Sequence, residues 1–226
     1  MGICHDTQRQ YICFPIDIIK YISVGYGLID ISYTLYRVKQ GIIISKMSND
    51  MRRIDKDRYY LEIARAVALR SPCTRANYGA IVVVNDAIVS TGYNGPIRGG
   101  VNCYEVGGCI KDVLNLPHGT SYDLCPAVHA EENCIINAAR NGGQVLGGTL
   151  YLYGLNPKNN EVLDAIPCER CRRAIINSGI KKVVVMSNNG EIRYFDVEKW
   201  IKEDTEKYIN NLKLALEGKL KPPIKK

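Results

Sequence analysis

The residues with most chemical content lie in two short stretches. "LCPAVHAEENCIINAAR" (Leu124 to Arg140) carries His129 and Glu131, and "IPCERC" (Ile166 to Cys171) carries Cys168 and Cys171. One imidazole and two thiolates form a donor set that suits zinc. A Pro-Cys-x-x-Cys step at a helix start puts two sulfurs on adjacent turns, close enough to share one ion. A helix N-terminus also favours thiolates. Three protein ligands leave a fourth position for water, which a metal converts to a hydroxide nucleophile near neutral pH. Glu131 shares the opening turn with His129, placed to take water's proton and pass it to a leaving group. Taken alone, His129 reads as a satisfied core histidine. "PCERC" alone reads as a redox pair or half of a structural zinc site. Together they are specific for a catalytic metal.

Elements must hold these side chains, and the periodicity supplies them. "DRYYLEIARAVALRS" puts Tyr60, Ile63, Ala64, Val67 and Ala68 on one helical face, with Pro72 beyond its end. "YGAIVVVND" and "AIVSTGY" read as a strand pair turning at Asn85 and Asp86. A Gly- and Cys-rich loop spans Asn94 to Pro126. "AVHAEENCIINAARN" reads as a helix, "GTLYLYG" as a strand and "LNPKNNEVLDAI" as a polar excursion or short hairpin. "CERCRRAIINSG" reads as a helix, "KKVVVMS" as a strand and "DVEKWIKEDTEKYINNLKLAL" as an amphipathic helix. Helices alternating with short apolar strands predict an α/β sandwich.

The chain has 226 residues, with 46% hydrophobic and 23% charged residues, the balance of a soluble globular protein. The formal net charge is +7, and "EGKLKPPIKK" at the end concentrates lysines in a basic tail, 219–226. Nine cysteines without a recognisable signal peptide point to a reducing, cytoplasmic setting, where clustered cysteines bind metal or react. Its longest uncharged run near the start, Tyr21 to Ile29, is too short to span a bilayer. Residues 1–46 differ in composition and read as an N-terminal extension, the alternative being a strand or helix pair that packs on a partner, with a domain over 47–218 and Met47 and Met51 at its head.

"HAEEN" with "PCERC" resembles the zinc-dependent nucleoside and nucleotide deaminases, whose signature is His-x-Glu followed by Pro-Cys-x-x-Cys. The resemblance implies a three-layer α/β/α sandwich around a mixed sheet of about five strands. It also implies attack of zinc-bound hydroxide on an amidine carbon, with loss of ammonia. His129, Cys168 and Cys171 then hold zinc and Glu131 shuttles protons. "PCTRANYGAIVV", "STGYNGPIRGGVNC" and "VHAEENCIINAARNG" narrow it to the deoxycytidylate (dCMP) deaminase branch, which forms dUMP for thymidylate synthesis. Two departures bear on substrate: Ala76 stands where the family often has a second basic residue, and "GLNPKNNEVLDAI" is inserted before Pro-Cys. The resemblance places Asn94 and Ala130 against the substrate. Arg75 and Arg98 are the candidates for its phosphate, since guanidinium forks match phosphate oxygens; either is otherwise a surface charge. Arg140 matches an arginine tied in the family to subunit contacts and triphosphate regulation, here by dCTP and dTTP. A homo-oligomer, often six subunits, is implied.

Four more cysteines, Cys73, Cys103, Cys109 and Cys125, lie near this core. Some dCMP deaminases carry a second, structural zinc with ligands matching Cys73 and Cys103. Here Cys109 and Cys125 complete a Cys₄ set, with His118 as a substitute ligand. The alternative is four unrelated thiols. A tRNA adenosine or polynucleotide cytidine deaminase is the rival within the fold. Such editors use basic grooves with exposed aromatics, and here there are only two Phe and one Trp, with fifteen Tyr spread along the chain. An inactive zinc-binding module is the rival from another class, and Glu131 argues against it because a structural site has no use for that acid.

Overall fold

The computed structural model describes residues 53–117 and 119–220, together with the strands β1 (Ile3–Thr7) and β2 (Gln10–Phe14). The chain divides into two compact units, Met1–Arg53 and Ile54–Lys226. In the first, β1 and β2 pair as an antiparallel hairpin with Ile3 opposite Phe14. His118 and residues 221–226 of the basic tail lie outside the described residues, as does most of the 1–46 segment.

The second unit opens with α1 (Lys56–Ala68), whose N-cap Asp55 accepts from the Arg58 N–H. Next come β3 (Asn77–Val84) and β4 (Ala87–Tyr93). Asn85 and Asp86 join them at φ of 48° and 66°, the left-handed pair that a two-residue hairpin of matching twist requires. Short β5 (Gly95–Pro96), α2 (Ile110–Val113) and β6 (Ala127–Val128) structure the long loop. Then follow α3 (Ala130–Arg140), β7 (Thr149–Leu155), β8 (Val162–Leu163) and α4 (Glu169–Asn177). The unit closes with β9 (Lys182–Met186), β10 (Ile192–Asp196) and α5 (Val197–Leu216). The central sheet runs β10-β9-β7-β3-β4, with β8 added on β7. The β7–β9 pair is parallel, crossed over by α4, and the others are antiparallel.

Period-two alternation splits this sheet cleanly between two helical layers. Ala80, Val82, Leu150, Leu152, Val183 and Val185 face Ala130 and Cys134 of α3, Ile175 of α4 and Trp200 of α5. Ile81, Val83, Tyr151, Tyr153, Val184 and Met186 face Tyr60, Leu61, Ala64 and Ala68 of α1. This is the expected three-layer sandwich. The buried face of α1 differs from the expected one by a step: Leu61 is fully buried, while Ile63 and Val67 are only partly covered. The helix rotates because its small residues must meet the sheet closely. A Cβ on Gly79 would lie 2.3 Å from the Ala64 carbonyl oxygen and from the Ala68 nitrogen.

Candidate active site

Two helix starts converge on one point. His129 is the N-cap of α3 and Cys168 the N-cap of α4, both in extended backbone. Cys171 is one turn into α4. His129 Nδ1 lies 3.3 Å from Cys171 Sγ and 3.5 Å from Cys168 Sγ. All three donor atoms fall within 4.8 Å of one another. A tetrahedral zinc with ordinary Zn–N and Zn–S lengths separates such a nitrogen and sulfur by about 3.5 Å, so the residues fit the ion.

The scaffold behind this point is specific. Glu132 accepts from the His129 backbone N–H at 3.4 Å and from the Arg170 guanidinium at 2.6 Å, which ties the first turns of α3 and α4 together. Asn133 and Asn137, one helical turn apart, donate to the Tyr93 and Thr91 carbonyls at 2.8 Å. They cover the outer edge of β4, a common way of protecting an edge strand. Ser90 Oγ donates to the Cys134 carbonyl at 2.6 Å. Such closeness requires Gly92: a Cβ there would stand 2.2 Å from the Cys134 nitrogen and 2.5 Å from the Ala130 carbonyl oxygen.

The metal-ligand cluster opens into a cavity of about 250 Å³. Glu131 lines it while only 5% exposed, and burial pushes its carboxyl above the usual carboxylate range. Cys168 is held down to about 3, chiefly by a hydrogen bond from the Cys171 side chain, with His129 and Tyr122 also contributing. Cys171, as the donor, is correspondingly pushed up. His129 is raised, first by its hydrogen bond with Cys168. The lowering at Cys168 favours its thiolate, the form that binds metal.

The structure places the other predicted residues as follows. Ala130, fully buried, and Asn94, 8% exposed, both line the cavity. Asn94 is also a clamp: its Oδ1 accepts from the Tyr78 N–H and the Ser71 hydroxyl, each at 2.7 Å, and its Nδ2 donates to the Ala76 carbonyl at 2.8 Å. One side-chain N–H is left beyond these bonds. Arg75 lines the cavity too, donating to the Leu116 carbonyl at 2.7 Å and pairing with Asp112 at 3.3 Å. Arg98 is not brought together with them. It donates to Asn137 Oδ1 at 2.6 Å and lines a separate polar cavity of about 430 Å³. Arg140 is exposed in the last turn of α3, about 16 Å along the helix from His129.

Cys73, Cys109 and Cys125 line the catalytic cavity, and all three raise the Cys103 thiol, after burial itself. The four thiols therefore gather at one end of the sheet. Among the described residues, only His129, Cys168 and Cys171 bring three ligand atoms within 4.8 Å of one another, so the four are gathered without being closed around a point. The inserted "GLNPKNNEVLDAI" forms the β7–β8 hairpin. Asp164 there accepts from the Ser187 hydroxyl and the Asn188 N–H, and Ile166 reaches the cavity.

Among the lining residues that the sequence reading did not single out are Tyr78, Lys111 and Tyr122. Tyr78 is pushed up to about 12 by burial and then by Glu131. Tyr122 is tilted against the His129 ring at 5.4 Å, its hydroxyl hydrogen-bonded to Cys168. Its place between Cys109 and His129 in the chain was the available signal.

Residues 54–187 match the cytidine and deoxycytidylate deaminase zinc-binding region. The chain belongs to that family. A protein of Schizosaccharomyces pombe named deoxycytidylate deaminase is 36% identical over 128 residues, 57% of this chain and 36% of that protein. One of Mycobacterium phage D29 with the same name is 36% identical over 138 residues, 59% of this chain and 96% of that protein. This chain thus spans about a third of the first relative and nearly all of the second. The solved dCMP deaminase of cyanophage S-TIM5 aligns with a TM-score of 0.44 and 24% identity, over 60% of this chain and 86% of that one.

Proposed function

We propose that this family member hydrolyses dCMP to dUMP and ammonia. The observation that carries the chemistry is the His129–Cys168–Cys171 cluster facing a buried Glu131 across one cavity. Support for the substrate comes from the relatives, which are named deoxycytidylate deaminases. His129, Cys168 and Cys171 would hold a zinc whose Lewis acidity would make water nucleophilic near neutral pH. Glu131 takes a proton from that water and returns it to the base. The oxygen adds at C4 and the C4–N bond breaks. Of water's two protons, one ends on N3 and the other leaves with the amine as ammonia. A carboxyl raised by burial suits both transfers, because its affinity for a proton lies nearer that of its partners. Tyr78 and Leu152 line the cavity and help to exclude bulk water.

Cys73, Cys103, Cys109 and Cys125 form, on this reading, a second and structural zinc set, supported by their convergence around Cys103. We read the assembly as a homo-oligomer, supported by the apolar residues that α5 leaves exposed, among them Tyr208, Ile209 and Leu216. Arg140 is read as a contact or regulatory residue for dCTP and dTTP, supported by its distance from the cavity. A cytoplasmic setting is supported by the seven described cysteines, all free. Among the described residues no helix is long and apolar enough to cross a membrane.

An activity panel over cytosine, deoxycytidine, dCMP, dCTP and tRNA tests the proposal. The highest kcat/KM is expected for dCMP. A clear preference for tRNA or the free base would overturn the substrate.

A further inference from the structure

Lys111, in the short helix α2, is 9% exposed. Lysines are almost never buried unless paired, because removing an ammonium from water is costly. Its Nζ donates to the Thr120 carbonyl at 2.7 Å and stands 4.9 Å over the Tyr122 ring. None of the ion pairs among the described residues involves it. An ammonium carries three donors, so the Thr120 carbonyl leaves two for a ligand.

The surroundings decide which ligand. Lys111 lines the same cavity as Glu131 and the metal-ligand cluster. The other cation on this wall is Arg75, whose charge is offset by Asp112 at 3.3 Å. None of the carboxylates among the described residues pairs with Lys111, so its charge is available to an anionic ligand. The Tyr122 ring links it to the reacting end: 4.9 Å from the ammonium to the ring, then 5.4 Å from that ring to His129. The ammonium therefore lies no more than about 10 Å from the His129 ring, and a base held at Glu131 in this cavity has Lys111 within reach of its 5′ substituent.

We propose that Lys111 gives this site its preference for a phosphorylated nucleotide over the bare nucleoside, by pairing with the 5′-phosphate. The proposal rests on the deaminase reading above. It separates two cations of which the sequence singles out only Arg75: Arg75 braces the loop, and Lys111 selects the ligand.

The test uses the full zinc-loaded chain, unmutated and as Lys111→Gln and Lys111→Arg. Glutamine keeps a donor for the Thr120 carbonyl and removes the charge; arginine keeps the charge. Two ratios are read: kcat/KM for dCMP over deoxycytidine, and Kd for deoxyuridine over dUMP by calorimetry. Both are expected to fall roughly 10- to 100-fold in Lys111→Gln, the scale of one charge-assisted hydrogen bond, and to recover mostly in Lys111→Arg. Ratios left at the unmutated values in a folded, zinc-loaded Lys111→Gln protein would overturn the assignment while leaving dCMP deamination intact. An unmutated protein that turns over neither compound would overturn both readings. Should Lys111→Gln fail to fold, the Lys111 ammonium resonance, identified by its loss in Lys111→Arg, still decides. It should shift on adding dUMP and not deoxyuridine, and equal response to the two would overturn the proposal.

Discussion

Glu131 is buried two residues from His129, a costly place for a carboxyl without a task. Glu131→Gln keeps its size and much of its hydrogen bonding but removes the proton shuttle. We expect zinc to be retained and dCMP turnover to fall by about three orders of magnitude; near-normal turnover in metal-replete Glu131→Gln protein would remove Glu131 from the mechanism. Cys109 tests a different metal. If the four gathered thiols hold zinc, purified protein carries two ions per chain and Cys109→Ser carries one, with the catalytic ion kept. Stability should then fall by several kcal/mol, because binding energy at a closed site is folding energy. Elemental analysis of both proteins decides it, and one ion in each leaves these four as ordinary thiols. At this scale the sequence was most informative where residue type is chemically restrictive. His129, Glu131, Cys168 and Cys171 announce themselves because few other tasks need that set. Lys111 and Tyr122 were silent because lysine and tyrosine serve many roles, and only the fold of the loop brings them to the cavity.

Helix α3 works as a bracket. Its N-terminus presents His129 and Glu131, and its asparagines cover the edge of β4. The close fit against Gly92 makes the bracket rigid. Gly92→Ala places a methyl 2.2 Å from the Cys134 nitrogen, and backbone cannot yield as a side chain does. We expect a loss of about 3 kcal/mol from such overpacking, together with weakened zinc binding, since His129 moves with the helix. A melting temperature and zinc affinity equal to those of the unmutated protein would show that the approach is looser than described. The main helices and sheet strands were legible because each pattern is long enough to show its period. β5 and β6 were not, because two residues carry no period, whereas β8 falls in the short hairpin read for "LNPKNNEVLDAI". β10 was missed for another reason: it is an edge strand with a largely exposed burial pattern, so it lacks the apolar run that marked β9.

At the scale of the whole molecule, the family match over 54–187 and the second compact unit begin at the same residue, Ile54. We therefore expect a chain beginning at Met47 to fold, bind zinc and deaminate dCMP as the full chain does. An insoluble or inactive product, checked by circular dichroism and turnover, would assign residues 1–46 to the fold or to an interface. The central claim is that one zinc at His129, Cys168 and Cys171 makes this protein a dCMP deaminase. The most direct measurement follows dUMP formation and zinc content in one sample as the metal is stripped with a chelator and returned. The account predicts that turnover disappears with the catalytic ion and returns in proportion to its reoccupation. A fully zinc-loaded, folded protein that leaves dCMP unchanged would contradict it.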